Sequence, residues 1–190
     1  MYKIIAIMGK AGSGKDSLMQ QILSMCPMFH EIVSCTTRPM RQGEQNGVNY
    51  HFYTMEQFLD RAYRGEMLEC TTFNNWIYGT SFDSVNPERI NIGVFNPAGV
   101  SALLDNPSVD VQIIYVKASD KIRLLRQLNR EEDPDVGEII RRYGADEKDF
   151  TDAEYFFDNC LVISNEDGVN LKDLAEHTIA AIEPWVTQGR

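Results

Sequence analysis

No stretch of this chain is apolar for long enough to span a bilayer. Its opening run YKIIAIM (residues 2–8) is ended at once by a glycine-rich turn, so neither a membrane helix nor a secretory leader is expected. A basic surface is also missing. The 18 Lys and Arg are outnumbered by 28 Asp and Glu, a net charge of −10, which argues against a nucleic-acid polymer as partner because such proteins present broad positive surfaces. A small anion held by a few local arginines stays compatible with that balance. Cysteine is sparse: Cys26, Cys35, Cys70 and Cys160 form no C-x-x-C pair and have no histidine at zinc spacing. Four unpaired thiols and a cytoplasmic setting are therefore expected. Internal repeats, low-complexity tracts and lipidation signals are absent as well.

What remains is an ordinary globular composition, 43% hydrophobic and 24% charged over 190 residues, enough for one domain with a sizeable core and a small insertion. Residues 3–8 read as a short strand buried on both faces. Leu18, Met19, Ile22 and Leu23 then fall at helical spacing over 16–25, before Pro27. Further strand-like runs at 31–34, 90–95, 111–116 and 161–164 alternate with helix-like segments such as 119–130 and 171–185. That alternation predicts an α/β fold, a three-layer α/β/α core around a parallel sheet whose ligand crevice lies beyond the strand C-termini. Two stretches break it. Residues 36–86, with strand-like VNYHFY and MLECTTF around a helix-like MEQFLDRAYR, read as a small mixed α+β insertion. Residues 129–137, NREEDPDVG, read as a mobile lid loop.

The first strand runs into GKAGSGKDS, residues 9–17. Gly9 to Lys15 match G-x-x-x-x-G-K, with the required strand before and helix after. Gly9, Ala11, Gly12, Ser13 and Gly14 would turn backbone N–H groups toward phosphate oxygens, and Lys15 would reach the outer phosphates. In such loops a Ser or Thr after the lysine is a magnesium ligand. Here that position is Asp16 and the hydroxyl is delayed to Ser17. A carboxylate is also a hard oxygen ligand, so Asp16 is expected to support the metal while Ser17 faces inward or bonds locally. The alternative is that Asp16 only charges the helix start, where acids are favoured.

The segment SCTTRPMRQGEQNGVNYHF, residues 34–52, places Arg38 and Arg41 around a proline. They could converge on one phosphate with Tyr50 adding a hydroxyl donor, or be a solvated surface pair. Together with GKAGSGK, GEMLE (65–69) and YGT (78–80), in this order and spacing, this block resembles guanylate kinase over most of the chain. The resemblance implies a single P-loop kinase domain with a core at 1–35 and 87–190, a nucleotide-monophosphate-binding insertion at 36–86 and a lid at about 129–148. It implies ATP-dependent, magnesium-requiring phosphorylation of GMP or dGMP in the cytoplasm. By the same resemblance Arg38, Arg41, Tyr50 and Tyr78 grip the acceptor phosphate, Ser34, Glu69 and Thr80 read the guanine, and Gly79 is a further substrate-binding residue. Guanine's adjacent N1–H and 2-amino donors suit a carboxylate such as Glu69.

Arg130 on the lid and Arg142 on the following helix fall nearest the family's charge-neutralising arginines and, with Lys15, form the expected catalytic set. Arg123 and Arg126 read as helix-surface charges, Arg126 with reach toward the donor phosphates. Asn165, in VISNED after the last core strand, falls where the family contacts the donor base. One block departs from the family. The acidic D-x-D-x-x-G pattern reads V-F-N-P-A-G at 94–99, so Val94 and Asn96 replace acids and Asp16 could return a carboxylate to the metal. Asn96 is kept as an acceptor-side residue. The departure leaves other acceptors open, another deoxynucleoside monophosphate or a ribosyl phosphate, and the family also includes non-catalytic interaction modules, whose phosphate loops are degraded where this one is intact.

Overall fold

The structure, a computed structural model, describes residues 1–41, 43–73, 75–130, 132–151, 153, 157 and 160–187. Strand β1 (Tyr2–Met8) is fully buried from Ile4 onward, the continuous apolar run of a two-faced sheet strand. Gly14, in the left-handed region at φ 87°, then starts α1 (Lys15–Met25), which buries Leu18, Met19 and Ile22. Two sheets form. A five-stranded sheet has the order β2 (His30–Glu31), β7 (Ile90–Val94), β1, β8 (Val109–Lys117), β9 (Cys160–Ser164). Its β2–β7 and β8–β9 pairs are parallel. A four-stranded sheet has the order β4 (His51–Phe52), β3 (Cys35–Thr36), β6 (Trp76–Ser81), β5 (Met67–Phe73), with one parallel pair and two antiparallel pairs.

The chain divides into two compact units. One comprises Met1–Ile5 and Met28–Val111, the other Ala6–Pro27 and Gln112–Arg190. The first holds the mixed sheet, β2, β7, α2 (Met55–Tyr63) and α3 (Pro97–Leu104). Thr54 begins α2 with a capping box closed by Gln57. Asn96 caps α3, with Pro97 in its first turn. The second unit holds the phosphate loop, α1, α4 (Asp120–Leu128), α5 (Val136–Asp149), β9 and α6 (Leu171–Thr187). Within it α1 packs on α6 and α4 on α5. Strands β2 and β7 and helix α3 fall in the same unit as residues 36–86. No described helix is long and apolar enough to cross a membrane.

Three sequence expectations change. The run 31–34 is not one strand: β2 ends at Glu31 and β3 starts at Cys35, in different sheets, and residues 32–34 carry the chain between them. Of VNYHFY only His51–Phe52 pair as strand, because the preceding residues fold into turns, with Asn46 Oδ1 accepting from Phe52 N at 2.9 Å. Arg123, read as a surface charge, is 1% exposed. The four cysteines are free thiols, as expected.

Candidate active site

Three successive carbonyls of the phosphate loop, those of Ala11, Gly12 and Ser13, are held by side chains from α4 and the segment after β9. Arg123 Nε donates to the Ala11 carbonyl at 3.1 Å, and Arg126 reaches the Gly12 and Ser13 carbonyls at 3.4 and 3.3 Å. Asn165 Nδ2 donates to the Ser13 carbonyl at 2.8 Å. Two of the N–H groups expected to face phosphate are instead engaged within the protein, Ala11 N–H by the Asp146 carboxylate and Ser13 N–H by the Lys10 carbonyl at 3.1 Å. Gly12 lies at φ +79°, and a Cβ there would strike the Arg123 carbonyl, so the loop's glycine is required by both conformation and space. Gly9 and Ser13 are buried under the turn. Asn165, expected at the donor base, is 6% exposed and lies against the loop, packed beside Gly14.

At the start of α1 the Lys15 ammonium lies 3.3 Å from the Asp16 carboxylate. Lys15 and, more weakly, Arg130 hold that carboxyl below its usual range, so Asp16 is ionised and its side chain is exposed. Ser17 is exposed rather than turned inward. Arg130 is exposed at the end of α4. Arg142 stands on α5, braced by Glu138 at 3.1 Å, as Arg141 is at 2.6 Å. One helical turn beyond Arg142, buried Asp146 accepts the Ala11 N–H at 2.6 Å. Burial raises the Asp146 carboxyl, against the pull of Ala11 N–H, Lys15, Arg123 and Arg142.

The residues expected on the acceptor side group within the other unit. Arg38 is 4% exposed and sits between the Tyr50 and Phe52 rings, 5.5 Å from each centroid. Tyr78 packs edge-on to Tyr50 at 6.0 Å. The Arg38 fork is already engaged: Glu44 accepts from it through both oxygens, at 2.7 and 3.0 Å, and also accepts the Arg41 N–H at 2.7 Å. Glu44 was not singled out from the sequence, although the G-E of the quoted block carries it; its signal was an acid six residues from a buried arginine. Arg41 is exposed on the same turn.

Glu69 on β5 and Thr80 on β6 are directly paired across the strands, and the Thr80 hydroxyl donates to Glu69 Oε1 at 2.9 Å. At 7% exposure the Glu69 carboxyl is pushed up by burial to about 7, only partly offset by Thr80. Gly79 makes this pair possible, since a Cβ there would stand 2.6 Å from the Glu69 carbonyl and 2.9 Å from Met67. Ser34 accepts the His51 N–H through its carbonyl at 2.9 Å, beside the same sheet. Asn96 Oδ1 is committed to the α3 cap, accepting Gly99 N–H at 2.7 Å, and its Nδ2 lies 3.5 Å from the Thr71 hydroxyl. Where the family pattern has an acid, this chain therefore has a helix cap.

A glycine loop bent between a buried strand and a helix, in an α/β fold with a parallel sheet, defines the P-loop fold class. The guanylate kinase family model matches residues 1–179. A guanylate kinase of Synechococcus sp. is 30% identical over 172 residues, covering 86% of this chain and 76% of that one. One of Thermotoga maritima is 41% identical over 78 residues, 41% of this chain and 38% of that one, so this match spans well under half of the relative. The crystal structure of guanylate kinase from Anaplasma phagocytophilum shares the fold, with a TM-score of 0.68 at 20% identity over 99% of this chain and 88% of that one. This chain belongs to the guanylate kinase family.

Proposed function

We propose that the protein transfers the γ-phosphoryl group of ATP to GMP or dGMP, in the cytoplasm, with residues 36–86 and about 129–148 closing over the nucleotides. The observation that carries the choice of acceptor is the buried Glu69–Thr80 pair. A carboxylate with one oxygen on Thr80 and a second beside the start of α3 suits a base with two adjacent donors; guanine has that pair, whereas adenine and the pyrimidines do not. Arg38, preset by Glu44 between two aromatic rings, supports a fixed planar grip on the acceptor phosphate with Arg41, Tyr50 and Tyr78.

The chemistry asks little beyond alignment and charge. The acceptor phosphate is already anionic, so no covalent intermediate or dedicated base is required. Loop N–H groups and Lys15 hold the donor phosphates, and Arg130 and Arg142 neutralise charge building on the transferring group. Among the described residues no three acidic, histidine or cysteine side chains cluster as a metal cage. Magnesium bound through substrate phosphates and waters needs only one or two carboxylates, and ionised, exposed Asp16 fits that demand. Asp16 would hold the ion, whose contribution is to offset charge on the donor phosphates.

A coupled assay with ATP across GMP, dGMP, AMP, CMP and UMP tests this reading. The guanine nucleotides should be turned over fastest; equal or better use of any other monophosphate overturns it.

A further inference from the structure

A set of buried charges lies against the phosphate loop. Among the described residues Arg123 is the largest fully buried side chain, and a guanidinium without partners there would be strongly unfavourable. It is matched by Asp120 at 2.8 Å, Glu147 at 3.2 Å and Asp146 at 3.4 Å, with the Tyr143 ring 5.2 Å away. Two of those carboxylates continue to the loop itself. Asp146 accepts Ala11 N–H at 2.6 Å, and Glu147 accepts the Lys10 ammonium at 2.7 Å. Because Arg123 Nε also donates to the Ala11 carbonyl, both polar groups of Ala11 are held, one from α5 and one from α4.

Satisfying one loop N–H needs only a neutral acceptor. A carboxylate is a costly choice, since burial disfavours its charge and that charge stands beside a loop shaped for phosphate, a cost that Lys15, Arg123 and Arg142 only partly offset. What a charge adds is alignment of cations. Arg142 lies one turn before Asp146 on the same face of α5, and its charge acts on the Asp146 carboxylate.

We propose that Asp146 is a positioning residue, whose ion pair with Arg123 and hydrogen bond to Ala11 fix α5 against the phosphate loop and so deliver Arg142 to the phosphoryl group that the loop holds. The role given to Arg142 rests on the kinase reading above; the tether between α5 and the loop does not.

The test is a double-mutant cycle on the full chain with Asp146→Ala, Arg142→Ala and the double variant. Asp146→Ala should lower kcat for GMP phosphorylation about tenfold or more while KM for GMP stays within about twofold, and Asp146→Asn, which keeps an acceptor for Ala11 N–H, should recover part of the loss. Arg142→Ala should cost about tenfold in the wild-type background and less than about threefold once Asp146 is gone. An equal cost in both backgrounds overturns the proposal. Should Asp146→Ala not fold, the same cycle and criterion apply to Asp146→Asn. If the wild type turns over no guanine nucleotide, the kinase reading fails separately, and the tether is judged by calorimetric titration of ATP with magnesium. Asp146→Ala should then weaken binding about fivefold or more, and unchanged affinity overturns it.

Discussion

Thr80 donates its hydroxyl to Glu69 at 2.9 Å from the residue directly opposite on the neighbouring strand. One hydroxyl is a small offset for a carboxylate this deeply buried, and the carboxyl is pushed from its ordinary 4.5 to about 7. The group is therefore held half-neutral near neutral pH, short of the donors that an ionised carboxylate asks for. A base offering two donors would supply them.

The same shift makes stability depend on pH. Below 4.5 the carboxyl is neutral in folded and unfolded chains alike and costs nothing; between 4.5 and about 7 the unfolded chain ionises first and the fold loses stability; above about 7 the loss is complete. Glu69→Gln keeps the shape and removes the ionisation. Urea unfolding should therefore show it close to wild type at about pH 4.5 and more stable by up to about 3 kcal/mol at about pH 8. A pH-independent difference between the two would mean that burial is not what shifts this carboxyl.

Glu44 and Arg38 give a second prediction. Removing one partner of a buried ion pair strands the other charge, at about 3 to 5 kcal/mol. Arg38 keeps the Pro39 carbonyl at 2.7 Å and two aromatic neighbours, so Glu44→Ala should fall at the lower end, about 3 kcal/mol in urea unfolding. With the fork unanchored, KM for the monophosphate should rise about tenfold or more while KM for ATP changes little, because the hydrogen bonds of the Glu44 carboxylate among the described residues go to Arg38 and the Arg41 N–H. Matching increases in both constants would point to general unfolding instead.

Asp16 supplies the third. Its exposed, ionised carboxylate beside Lys15 is suited to hold magnesium, so Asp16→Ala should raise the magnesium needed for half-maximal rate about tenfold. Asp16→Ser, which restores the hydroxyl usual at this place, should fall between the two. If the serine variant turned over faster and bound magnesium more tightly than wild type, the carboxylate would be only a charge at the helix start. A magnesium titration of the initial rate at saturating ATP distinguishes these outcomes.

Much of this arrangement is legible in the residue order, and the limits have physical causes. Gly9 to Lys15 announce themselves because phosphate binding restricts both backbone and side chain, and β1 and α1 follow from continuous burial and helical spacing. Helix α3 is hidden because its Val-Phe-Asn-Pro start reads as a departure from an acidic pattern, whereas Asn96 and Pro97 are a cap and a first turn. Arg123 is misread because a charged residue in a polar helix normally faces water; its burial depends on Asp146 and Glu147, more than twenty residues away. Glu44 escapes for the same kind of reason, since its value lies in meeting both Arg38 and the Arg41 N–H, which only the folded turn brings about.

The Glu69 carboxyl also carries a prediction about the acceptor. An ionised carboxylate accepts two donors side by side, and a protonated one has lost an acceptor site and become a donor. As pH falls below about 7 the fraction ready for guanine drops, so log KM for GMP should climb by up to one unit per pH unit between about pH 7 and 5.5. The nucleotide's own phosphate titrates near pH 6 and adds a slope of its own, as in any phosphate monoester. Glu69→Gln separates the two contributions, because it keeps the phosphate's titration and removes the carboxyl's. Its KM for GMP should be high at every pH and its pH profile shallower than that of wild type. If the two profiles ran parallel, Glu69 would not be the group that reads the base.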